Sequence, residues 1–258
     1  MREINKILTI AKFTFKEIIK SNILVNIFFL GLGLLLVTYV AYSFTYGEPA
    51  RIALDFGLGT LSLSSVGIAI FIGSGILAKE IDSRTVYMII SRPVPRYCFI
   101  LGKVMGLILV LIVNVLLLST LTLSAYFFIG GEFAPILMWS ILFILFEAII
   151  ALLVVSLLSL ISSQTIAVIL SMIVYVLGHA IDGVKLTSMI AKNKVLESII
   201  DVYHFFLPGY YKLNLKEHVI YKQNIELDYL VNNTFYVLFY SLFLITLCVL
   251  TFNKKNLD

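Results

Sequence analysis

Charged residues are scarce along this chain and crowd into the gaps between six long apolar runs, roughly 23–44, 54–78, 104–129, 135–161, 165–183 and 231–252. Most of these runs exceed the roughly 20 residues that a helix needs to cross the hydrocarbon of a bilayer. The pattern predicts an all-α, polytopic integral membrane protein with six transmembrane helices. Ahead of the first run, Ile4, Ile7, Leu8, Ala11, Phe15, Ile18 and Ile19 recur at helical spacing, with Lys12, Lys16 and Lys20 four apart on the other side. This arrangement predicts an amphipathic helix over 1–22, lying in the membrane interface with its lysines near anionic headgroups. The apolar run that follows is too long for a secretory signal and lacks a convincing small-residue cleavage site, so the first span is expected to be a permanent anchor.

The gaps differ in charge, and the difference predicts orientation. The N-terminal segment, the stretch 79–103 and the Lys254-Lys255 tail are basic, whereas the short loops around Glu48 and Arg51 and around Glu132 carry few basic residues. The positive-inside bias then puts both termini in the cytoplasm of a multi-pass plasma-membrane protein. Two places weaken the pattern. The loop 162–164 is uncharged, and the fifth run is short and ends in Gly178, His179 and Asp182. On this topology the segment 184–230 is extracytoplasmic and carries short amphipathic helices, ended by Pro208-Gly209.

The most informative gap is 79–103. Lys79, Arg84, Arg92, Arg96 and Lys103 are basic, Glu80 and Asp82 acidic, and between them lies TVYMII, Thr85 to Ile90, without a charge. Six apolar residues cannot span a bilayer, so in a cytoplasmic loop they need a partner. Glu80 and Arg84 are spaced for an i,i+4 pair, and Pro93 and Pro95 force a corner, which predicts a brief helix ending near Ser91. Composition agrees with the membrane class: 60% of residues are hydrophobic, 13% are charged and the mean hydropathy is +1.04. The net charge of +4 is accounted for by topology, so no nucleic-acid partner is expected. Cys98 in the loop and Cys248 in the last run face a reducing compartment and are expected to pack rather than pair.

Within the runs, polar residues are few enough to weigh one by one. Glu147 is the carboxylate set deep in an apolar run, where an ionised acid costs at least about 2.5 kcal/mol on insertion scales. It must face protein or water. Candidate partners are Asn114, Thr120, Tyr175 and His179, and the role is either a structural hydrogen bond or a place on a substrate or proton path. The second run is rich in small residues, including Ser64, Gly67 and Ser74, which allow close helix approach. They fit either packing within one subunit or an interface that opens a path; Gly102 and Gly106 continue the theme. His179 and Asp182 sit at i,i+3, but two ligands without a third make a poor metal site, so no metal is expected. Asn232-Asn233-Thr234 fits a glycosylation acceptor by pattern and a plain helix start by position. A phosphate loop, a zinc-protease helix motif and a nucleophile elbow are all missing, so this chain is not expected to be an enzyme.

On these residues the sequence resembles the type-2 ATP-binding-cassette (ABC) permeases, the six-span membrane subunits of exporters. The resemblance lies in Glu80, Thr85, the apolar pair Ile89-Ile90, Ser91-Arg92-Pro93, Arg96 and Gly102-Lys103, and at the end in Leu207-Pro208 and Phe252 before Lys254-Lys255-Asn256-Leu257. Arg84 and Gly209 depart from it, where the family commonly has a glycine and an asparagine. Within that family the pattern looks most like the permeases linked to maturation of copper enzymes such as nitrous-oxide reductase. The resemblance implies a dimer of permease chains bound to separate ATPase subunits, which would hold the ATP and magnesium; no cofactor is expected in this chain. Val86 and its neighbours from Thr85 to Ile90 would form the coupling helix docked in the ATPase. Glu147, Ser64, Gly67 and Ser74 would be the candidates for a translocation path. The rival expectation is a carrier or channel working without ATP.

Overall fold

The computed structural model describes residues 2–21, 49–82, 95–185, 207–223 and 225–254, with scattered positions between 29 and 40. No strand occurs among the described residues. The elements are α1 (Arg2–Lys20), α2 (Pro49–Asp82), α3 (Arg96–Phe128), α4 (Pro135–Ile161), α5 (Gln164–Lys185), a 3-10 turn (Tyr210–Leu213), α6 (Lys216–Ile220) and α7 (Leu227–Lys254). Five of them, α2 to α5 and α7, are long and apolar enough to cross a membrane. The expected first span lies largely outside the described residues. Its described positions are helical, and Gly31 faces Leu118 and Leu121 of α3.

The helices take in more of the charged gaps than periodicity predicts. α2 begins at Pro49, a residue suited to a first helical turn, and continues to Asp82, absorbing Lys79 and Glu80. α3 begins immediately after Pro95, so Arg96 to Lys103 form its first turns rather than the tail of a loop. Cys98, expected in that loop, is fully buried in α3. The physical reason is packing: these turns find apolar partners in α1 and α7, so the charges there mark a helix end and not a break.

α4 is the axis of the bundle. Within its most apolar stretch 61% of residues are buried, against 22% in α5 and α7, which leave broad apolar faces exposed. Its neighbours are set by connection length as much as by packing. Ser162 and Ser163 turn the chain directly from α4 into α5, so the two helices must run antiparallel side by side. The Ser162 N–H and hydroxyl both donate to the Leu158 carbonyl at 2.8 Å, closing the last turn of α4.

α1 packs along the start of α3 through Ala11, Thr14 and Ile18, all buried. Gly102 and Gly106 permit this approach: a Cβ at Gly102 would lie 2.6 Å from the Ile10 Cβ, and one at Gly106 2.7 Å from the Thr14 Cβ. Ile4 and Leu8 stay exposed beside Lys12 and Lys16. The helix therefore carries two apolar strips, one spent on α3 and one left over for an interface.

At the opposite end of the bundle, residues 207–223 fold back over the helices. Lys216 pairs with Asp55 of α2 at 2.7 Å, and the Gly209 N–H donates to the Tyr236 hydroxyl of α7 at 3.0 Å. The α3–α4 connection closes on the same side, where Tyr126 donates to the Glu132 carbonyl at 3.0 Å and Gly131 lies against the Tyr126 ring.

Candidate functional site

The α4–α5 hairpin brings together the most unusual side chains of the bundle. Glu147 lies about four turns before the bend and Tyr175 and His179 about four turns after it, so an antiparallel pair sets them at one level. Tyr175 and His179 are i,i+4 and share a face of α5. Both reach Glu147: the Tyr175 hydroxyl donates to Oε1 at 2.7 Å, and His179 Nε2 lies 2.7 Å from the same oxygen. Glu147 is 2% exposed, whereas the His179 side chain keeps 26% of its surface. A buried carboxylate in an apolar helix is thus given two polar partners from its neighbour. Of the four partners considered from sequence, Asn114 and Thr120 are engaged elsewhere.

The third ring comes from the far end. The turn at Pro208 and Gly209 delivers Tyr210 into the bundle, where it is 1% exposed. Its ring centroid lies 5.2 Å from that of Tyr175 and 5.8 Å from that of His179, the latter nearly parallel at 21°. Tyr175 and His179 meet edge to face at 4.7 Å. Chemically the cluster is a carboxyl–imidazole pair able to share one proton along the 2.7 Å line, braced by two phenols. Whether Nε2 donates to Glu147 or accepts from it follows the imidazole tautomer. Tyr210 escapes sequence reasoning because its contact crosses a long connection; the Pro208-Gly209 turn just before it was the available signal.

Most small residues of α2 lie apart from this cluster, but Ser62 reaches it as a hydrogen-bond partner of Tyr175. Ser64 donates to Asn114 Oδ1 at 3.3 Å, and Asn114 Nδ2 donates to Ser65 at 2.9 Å, so these groups form a separate clamp between α2 and α3. Ser74 donates to the Phe71 carbonyl of its own helix at 3.0 Å. Gly67 has no atom within 4 Å of a Cβ position, while Gly57 and Gly73 press on Thr122 of α3 and on Leu152 and Val155 of α4. Close approach within the subunit accounts for Gly57 and Gly73; Gly67 lies on an open face.

At the α1 end, the residues singled out by resemblance divide in two. Arg84, Thr85, Val86, Ile89, Ile90, Ser91 and Pro93 lie outside the described residues, as does the side chain of Glu80. Their flanks, Asp82 and Pro95, are the last residue of α2 and the residue just before α3. Arg96, Gly102 and Lys103 are in α3. Arg96 Nη1 donates to the Asn253 carbonyl at 3.2 Å, placing a cation at the C-terminal turn of α7. Phe99 and Phe252 stack at 5.8 Å just inside it. Lys103, 6% exposed, reaches Glu17 of α1 at 3.7 Å. These three residues join α1, α3 and α7, a role that loop reasoning missed because the partners are distant in sequence.

Among the described residues no three His, Cys, Asp or Glu side chains gather as a metal site requires. No protein-family model matches the chain, and no curated protein matches it.

Proposed function

We propose that this chain is the membrane-spanning permease subunit of an ABC exporter, with six spans, both termini cytoplasmic and a place in the plasma membrane. Two permease chains would pair with two ATPase subunits that hold ATP and magnesium, and nucleotide-driven closure would move the segment 85–90. The observation that carries this reading is the apolar hexamer Thr85 to Ile90 within a basic, proline-cornered segment, in the order that resembles the family's coupling loop. The junction of α1, α3 and α7 supports it: a docked segment beside Arg96 and Lys103 would push on three helices at once, a two-state element that nucleotide can bias. The test is retention of an ATPase subunit by the detergent-solubilised permease. Parent chains should carry it through purification, and chains with Ile89→Asp or Ile90→Asp should not, because docking would bury a carboxylate against an apolar groove.

The Glu147–His179 pair favours a second reading, a carrier driven by protons without ATP. The two readings part on Glu147→Gln. A proton-driven carrier loses transport with expression intact, whereas the exporter keeps most of both.

A further inference from the structure

At the end of the bundle away from α1, residues 219–223 border an open-sided cavity of about 880 Å³ between the starts of α2, α4 and α7 and the end of α3. That volume falls within the roughly 300–1,000 Å³ usual for small-molecule sites. Its floor is apolar, with Leu54, Leu137 and Leu230 lining it and each buried against the bundle. Among the described lining residues, charge is confined to Arg51, Glu132 and Lys222. The Arg51 guanidinium lies 4.4 Å over the Tyr221 ring, which fixes a group suited to phosphate or carboxylate at the mouth. Lys222 pairs with Glu132 at 3.2 Å, but with 75% and 83% of these side chains exposed the pair is held weakly and can be exchanged for a ligand.

A second observation marks the same rim. Among the described residues, Lys222 is the non-glycine residue with positive φ, at 49°, directly beyond the α6 cap, where glycine or asparagine is usual. A lysine held in that strained conformation presents its ammonium at the cavity mouth, and such strain gathers at functional positions.

We propose that this cavity binds an anionic amphiphile, its apolar body against Leu54, Leu137 and Leu230 and its phosphate or carboxylate at Arg51 and Lys222. The assignment rests on the cavity alone and stands whether or not an ATPase drives the chain. Trp139, the one tryptophan of the sequence, lines the cavity and reports occupancy directly.

The purified chain in mixed micelles is titrated with dibrominated phosphatidylglycerol, dibrominated phosphatidylcholine and dibromostearate, whose bromines quench an indole on contact. At least one of the two anionic probes should reach half-maximal quenching at about two- to fivefold lower mole fraction than phosphatidylcholine, the margin one or two exposed ion pairs supply. Which anionic probe does so separates a bilayer phospholipid from a single-chain carboxylate. Lys222→Gln, on an exposed turn, should reduce the preference, and adding Arg51→Gln should remove it. Equal quenching by all three probes overturns the proposal. So does a preference unchanged in Lys222→Gln, which decides the matter if the double variant fails to fold. Loss of the preference when inorganic phosphate is added at constant ionic strength would show a free-anion site instead and overturns it as well.

Discussion

Replacing Glu147 by leucine isolates what the hydrogen bonds of the α4–α5 hairpin contribute. Leucine conserves apolar bulk but leaves the Tyr175 hydroxyl and His179 Nε2, each 2.7 Å from Glu147 Oε1, without their partner. Two part-buried polar groups left unpaired at no more than about 1–3 kcal/mol each set an upper range of about 2–6 kcal/mol. Helix bundles in membranes recover part of this, since interhelical hydrogen bonds there average about 0.6 kcal/mol by double-mutant cycle. Relief of the carboxyl's own desolvation also offsets the loss. The lower end therefore governs, and Glu147→Leu should destabilise by about 2 kcal/mol, a fall of about 4–8 °C in Tm for a chain of this size. Glu147→Gln keeps an acceptor and should lose less than half of that. The assay is thermal unfolding in detergent, followed by Trp139 emission, on the parent, both variants, Tyr175→Phe and the double variant Glu147→Leu/Tyr175→Phe. Coupling appears as a double variant no less stable than Glu147→Leu alone. A Leu variant as stable as the parent, or strict additivity with Tyr175→Phe, would refute the reasoning.

The remaining predictions concern the two ends of the bundle. Gly106→Val should force α1 off α3, because its Cβ would already lie 2.8 Å from the Ala11 carbonyl and 2.7 Å from the Thr14 Cβ; overpacking of about 1–3 kcal/mol should show as faster proteolysis within α1. Lys103→Met should leave thermal stability within about 0.5 kcal/mol, since its partner Glu17 is 71% exposed and the methionine stem can pack on Phe99. A collapse of stability there would mean that the charge itself is structural. Tyr210→Ala, which empties the space against Tyr175 and His179, should cost about 3–5 kcal/mol and speed proteolysis in 207–223.

Much of the helical layout was legible because long apolar runs satisfy their backbone polar groups most simply as helices, and α2 to α4 and α7 follow from run length, whereas α5 comes from a run that is short and ends in polar residues. Helix ends were less legible. Charges at Arg96 and Lys103 read as loop, yet the side chains pack on Asn253 and Glu17, partners no local pattern reveals. Glu147 stood out by its cost in an apolar run, and two of its four candidate partners, Tyr175 and His179, are the ones it meets. Tyr210 did not stand out, since an aromatic residue in a connecting segment looks ordinary until the turn before it aims the ring inward. The second run shows the reverse limit. Its small residues form one sequence class but at least four structural ones: Gly57 and Gly73 in close packing, Ser62 on Tyr175, Ser64 in the Asn114 clamp, and Gly67 on an open face.

The central claim is that Thr85 to Ile90 dock an ATPase. Its most direct measurement is the amount of ATPase subunit that remains with affinity-purified permease when Ile89 or Ile90 is replaced by aspartate, with expression and size-exclusion profile of the permease monitored in parallel. The account predicts a well-folded permease stripped of its ATPase, and a smaller loss for Arg96→Glu, because a rim charge steers association more than it holds the complex. Aspartate variants that retain the ATPase as fully as the parent, with transport intact, would contradict it.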